Sequence, residues 1–108
     1  MNVVQIPRRA GTSGINDGQR AALERLITIA KGGSGQCERV ADFLLAWWNG
    51  ADCGRFDLTS LWGLEPHIAG DIVTVFGLIS QLCSYPDRLG YEADFKDIIR
   101  VWRPHLAG

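Results

Sequence analysis

Apolar residues recur at steps of three and four in four separate stretches of this chain, and each stretch is shut off by glycine, asparagine or proline. That period marks one face of an α-helix, where a half-buried strand would show strict alternation. The first stretch, Ala22, Leu23, Leu26, Ile27 and Ala30, follows Asn16 or Asp17 as a cap and stops at Lys31-Gly32-Gly33. The second, Cys37, Val40, Ala41, Leu44, Trp47 and Trp48, follows Ser34 and ends at Asn49-Gly50. Phe43 and Leu45 widen its stripe to nearly half the circumference. A stripe that wide is normally touched by several neighbours, so this helix is expected at the centre of the fold.

The third stretch opens at Glu65-Pro66, where proline's missing N–H costs nothing, and carries Ile68, Ile72, Val75, Phe76, Ile79, Leu82 and Cys83. Ile72-Val73-Thr74-Val75 would also suit a strand at 72–76, but helical spacing without alternation favours helix. The turn from Tyr85-Pro86-Asp87 to Leu89-Gly90 precedes the fourth stretch, Tyr91, Phe95, Ile98, Ile99 and Trp102, which Pro104 ends. Between the second and third, Asp57 can cap a short turn over Leu58 to Trp62 that Gly63 stops. The expected fold is all-α, a compact single-domain bundle of four main helices plus one short helical turn over residues 16–108. A disordered arm is expected over residues 1–15, where Pro7, Gly11 and Gly14 interrupt every periodicity.

With 108 residues, 46% of them hydrophobic, and a formal net charge of −1, the chain has room for one globular core and no second domain. Its apolar runs, such as Phe43 to Trp48, fall far short of a bilayer's thickness. The basic pair Arg8-Arg9 follows the first apolar residues instead of leading an apolar segment, so no secretory signal is readable. A cytoplasmic protein without membrane contact is the expectation. Cys37, Cys53 and Cys83 fit neither a disulfide framework nor a zinc ribbon, and are expected as reduced thiols, two of them in the core.

Chemistry finds little to build on. His67 and His105 are the only imidazoles, and neither lies in a recognisable catalytic motif. Asp57 has a capping role, while Asp94 and Asp97 share the outer face of the last helix with Lys96 and Arg100. Gly32-Gly33-Ser34-Gly35 lacks the Lys-Ser/Thr pair of a phosphate-binding loop and follows a helix instead of a strand. No catalytic residue, no metal site and no cofactor is expected. Nucleic acid is also disfavoured: between Phe56 and Asp87 stand Asp57, Glu65, Asp71 and Asp87 with no lysine or arginine, and the densest basic cluster is Arg8, Arg9 and Arg20.

Two features point to a protein partner, self-association included. Trp47 and Trp48 are adjacent on one helix and so point about 100° apart, which makes it hard to bury both along with Trp62. Trp47, Trp48 and Trp62, with Arg55 in the intervening loop, are therefore candidate partner-binding residues. On the third main helix Gly70, Thr74, Gly77 and Gln81 align opposite the apolar stripe, a small-residue seam that another helix could approach closely.

The string Val40-Ala41-Asp42-Phe43-Leu44-Leu45-Ala46-Trp47-Trp48-Asn49 is followed by Phe56-Asp57-Leu58-Thr59 with Leu61-Trp62. Then come Tyr85-Pro86-Asp87 with Leu89-Gly90-Tyr91, and finally Trp102-Arg103-Pro104. Over roughly residues 17 to 107 this pattern resembles a family of small uncharacterised bacterial proteins carried on mobile genetic elements: integrative and conjugative elements, plasmids and genomic islands. The resemblance implies a habitat and transfers no activity. The function expected is a helical interaction or accessory factor of a mobile element. Alternatives are an inhibitor of a host defence system, a toxin-neutralising partner, or a small enzyme with a pocket near Asp52, Arg55 and Asp57.

Overall fold

The structure is a computed structural model that describes residues 14–106. Four α-helices follow one another: α1 Asp17–Ala30, α2 Gly35–Asn49, α3 Pro66–Leu82 and α4 Glu92–Trp102. Short 3₁₀ turns occupy Leu58–Gly63, Pro86–Leu89 and Pro104–Leu106, two more than the sequence suggests. No strand occurs among the described residues, and 72–76 is helical. Of the expected arm, residues 1–13 lie outside the described residues, while Ile15 packs half-buried against the core.

α1 and α2 begin where a side chain can satisfy free N–H groups, whereas α3 and α4 start without a side-chain cap. Asn16 accepts from the Gln19 N–H at 2.7 Å, and Gln19 Oε1 accepts from the Asn16 N–H at 3.1 Å, a reciprocal capping box. Ser34 Oγ accepts from the Cys37 N–H, Asp57 accepts from the Thr59 N–H, and Pro66 starts α3. Gly90 adopts φ +94°, a left-handed conformation that ends the 86–89 turn and lets Tyr91 N–H reach the Pro86 carbonyl.

The centre belongs to α1, a correction to the expectation that α2 would hold it. α1 packs along both α2 and α3 and also reaches α4, whereas α2 and α3 touch only lightly. It lies antiparallel to α3, since Gly14 sits against Leu82 while Arg25 pairs with Asp71 at 2.8 Å. The wide stripe of α2 is shared instead among α1, α4 and a groove. Phe95 of α4 is clasped by both tryptophans of α2: Trp48 stacks on it at 5.6 Å and Trp47 meets it edge-on at 6.1 Å.

All three cysteines are free thiols, but the core holds one of them instead of two. Cys53 is buried, and burial pushes its thiol above the ordinary value. Cys37 lies half-buried in the first turn of α2. Cys83 caps α3 in a left-handed conformation, φ +53°, and is exposed.

Candidate functional site

α2 and α3 run side by side in the same direction and are tied at both ends. Near their starts the Glu65 N–H donates to Gln36 Oε1 at 2.6 Å. Near their ends Trp47 Nε1 donates to the Ser84 carbonyl at 2.9 Å. Between the ties the helices stand apart, and the segment from Phe56 through the 58–63 turn forms a third wall. The result is a groove of about 420 Å³.

Its lining comes from Phe43, Ala46 and Trp47 of α2, Ile72, Val73, Phe76 and Ile79 of α3, and Phe56, Leu58 and Leu61 of the third wall. None of these side chains carries an oxygen, and their one N–H, on Trp47, is already spent on Ser84. Phe43 and Phe56 pack edge-to-face at 5.4 Å and fix the inner end. The rim is open: Leu58 is 71% exposed and Val73 and Phe76 are each 63% exposed. Set side by side, these bare apolar side chains form an exposed hydrophobic patch.

Phe76 belongs to the apolar stripe read from the sequence as facing the core, and the structure turns it outward. The reason is the parting of α2 from α3, which leaves that flank of the stripe without a neighbour. Val73, Leu58 and Phe56 were not among the sequence candidates. The readable signal was the charge pattern of α3, which carries Asp71 and His67 and no other charged or titratable side chain. A helix ordinarily shows water a charged face.

The sequence candidates are dispersed. Trp47 is 9% exposed and forms part of the groove floor, Trp48 is half-buried against Phe95, and Trp62, on the 58–63 turn, is 85% exposed. Arg55 is exposed. Gly70, Thr74 and Gln81 are exposed and Gly77 is half-exposed; a methyl group added at Gly70 or Gly77 would meet nothing within 4 Å. Asp52 and Asp57 serve their own turns. Asp52 accepts from Asn49 Nδ2 at 3.2 Å, and Asp57 accepts from the Thr59 hydroxyl at 2.8 Å, which holds its carboxyl below the ordinary value. His67 and His105 are exposed. Among the described residues no three histidines, cysteines or acids gather as a metal site would require, and no helix is long and apolar enough to cross a membrane.

A family model described as a family of unknown function, DUF7673, matches residues 20–103. The chain belongs to that family. No curated protein and no solved structure matches it. In this DUF7673 domain the matched span contains every groove residue, and its limits fall on two tethering arginines. Arg20 donates to Tyr91 Oη at 2.7 Å, and Arg103 donates to Asp42 at 2.8 Å and to the Cys53 carbonyl at 3.0 Å.

Proposed function

We propose that this protein acts by binding a protein partner, and that the groove between α2 and α3 accepts the apolar face of a partner α-helix. The observation that carries this reading is the groove's make-up: an open, entirely apolar lining with Leu58, Val73 and Phe76 bared at the rim. A helix laid in such a groove buries side chains spaced at i, i+3 or i+4, and i+7. Catalysis on a polar substrate would need convergent polar groups in the concavity, and the lining has none to offer. The surrounding surface fits the same role, because from Phe56 to Asp87 it lacks lysine and arginine that would draw an anionic ligand. Taken with the resemblance to proteins of mobile genetic elements, the role proposed is an accessory factor working through protein contact in a bacterial cytoplasm.

Selection of helical peptides from a displayed library against the full chain tests this. The expected winners carry apolar residues at helical spacing, and Leu58→Asp weakens them by about tenfold or more. Winners that bind the Leu58→Asp variant as well as the parent, or no winners, would overturn the reading.

A further inference from the structure

We propose that residues 1–13 of this chain, which lie outside the described residues, occupy the groove between α2 and α3, so that a partner helix must displace them. The inference rests on the docking role proposed for the groove and adds its regulation. The segment is attached beside the groove's own helix. A methyl group added to Gly14 would lie 3.0 Å from Leu82 Cδ2, at the C-terminal end of α3, and Ile15 packs against the core. From there the groove rim is in reach. Val73 stands nine residues before Leu82 and so on the opposite side of α3, a path of about 14 Å along the axis and about 17 Å around it, or about 22 Å in all. Ile6 is eight residues before Gly14, and eight residues of extended chain span about 26 Å. Between Leu82 and Val73 the outer face presents Gly77, which has no side chain and lets a second backbone cross α3 closely.

Two properties select this segment over a separate molecule. The first is charge complementarity. Residues 1–13 carry Arg8 and Arg9 and no acid, whereas the stretch from Phe56 to Asp87 carries four acids and neither lysine nor arginine. Arg8 and Arg9, six and five residues ahead of Gly14, come within reach of the C-terminal end of α3. The last turn of that helix has no basic residue to answer its free carbonyls, and Asp87 stands exposed just beyond it. The second property is connection. A segment joined to the fold meets the groove at an effective concentration of about a millimolar, so an apolar contact too weak to hold a free peptide still fills it for much of the time. The apolar residues are present: Val3, Val4 and Ile6 precede Pro7, which disfavours helix at Ile6, and in an extended chain Val4 and Ile6 face one side. Laid across Val73 toward Leu58 and Phe76, they meet a rim of exposed apolar side chains. Weak occupation of this kind shields the patch from chance contacts and still yields to a helix that binds more tightly.

Amide NMR spectra of the full chain, parent against a variant with Val4→Asp and Ile6→Asp together, read the contact without any partner. The expected result is a change in the amide shifts of Leu58, Val73 and Phe76, while those of core residues such as Leu44 and Ile98 stay and so show the variant to be folded. Arg8→Glu with Arg9→Glu moves the same rim peaks in the same direction. Groove-selected helical peptides bind the Val4→Asp, Ile6→Asp variant about twofold or more tighter than the parent, because they no longer compete with the segment. Rim peaks that do not move overturn the inference, and peptides that still bind then leave the docking role standing. Rim peaks that move while peptides bind both chains equally overturn the competition. Rim peaks that move with no peptide bound by either chain keep the segment in the groove and defeat the partner-docking reading instead.

Discussion

Arg103, just past the end of α4, donates to Asp42 in the middle of α2 at 2.8 Å, with side chains only 12% and 18% exposed. The same guanidinium donates twice to the carbonyl of Cys53, at 3.0 and 3.2 Å, so one side chain fastens the last helix, the second helix and the loop between α2 and the 58–63 turn. Removing it strands a carboxylate and a carbonyl together. Arg103→Ala should lower stability by about 2–3 kcal/mol in urea or guanidinium unfolding, and Arg103→Lys should recover only part, because a lysine cannot reproduce the fork. A double-mutant cycle with Asp42→Ala separates the pair from the carbonyl contacts.

That tether was not legible in the sequence, and the contrast with what was legible is physical. Helix starts are local events: Asn16, Ser34, Asp57 and Pro66 each act within three residues, so composition and order suffice to place them. Pairings such as Arg103 with Asp42, Arg25 with Asp71 and Lys31 with Asp94 span 46 to 63 residues and depend on how the helices cross. The groove was illegible for the same reason. Periodicity placed Phe76 on the apolar stripe of α3, and only the separation of α2 from α3 decides that this flank of the stripe is bare. The missing charges of α3 were in plain view, and their consequence is an outer face whose exposed polar residues, such as Thr74, Ser80 and Gln81, carry no charge.

Core and groove should therefore answer differently to substitution. Phe95 is fully buried between Trp47 and Trp48, and Phe95→Ala should cost about 3–5 kcal/mol through the cavity it leaves. Phe76 is mostly solvated, and Phe76→Asp should change stability by no more than about 0.5 kcal/mol. Chemical denaturation checks both. Comparable losses at the two positions would show that Phe76 is packed.

Tyr91 offers a pH readout of the joint between α1 and α4. Its hydroxyl donates to Glu24 at 2.8 Å and accepts from Arg20 at 2.7 Å. Burial, then the hydrogen bond to Glu24, pushes its ionisation above the ordinary phenol value, against the opposing pull of Arg20. A raised value means that the fold favours the neutral phenol. The stability this supplies is complete below the unfolded-state value near 10, and is lost as pH climbs through the higher folded-state value. Tyr85 is the other tyrosine, so Tyr85→Phe isolates the signal. Ultraviolet absorbance of phenolate in that variant should show a midpoint above about 10, and Glu24→Gln should lower it. A midpoint at or below 10 would mean that the joint is open in solution.

DNA is the last partner to weigh, since small helical proteins often bind it. Affinity for a duplex rests on lysine and arginine neutralising several phosphates from one face. Here the cations of the described residues are largely committed. Arg25 pairs with Asp71, Lys31 with Asp94 and Asp97, Lys96 with Glu92, Arg100 with Asp97 and Arg103 with Asp42. The bonds to Asp71 and to Asp94 hold Arg25 and Lys31 more firmly protonated than usual, but they also turn each charge toward a carboxylate. Arg20 reaches inward to Tyr91, and α3 contributes no lysine or arginine. Among the described residues, cations so paired form no basic stripe. Fluorescence anisotropy with random duplex at about 0.15 M salt should give binding no tighter than about 10⁻⁴ M, the weak end of the non-specific range. Micromolar binding with a steep salt dependence would require those ion pairs to break on contact, and substituting Arg25 and Lys31 together would then abolish it.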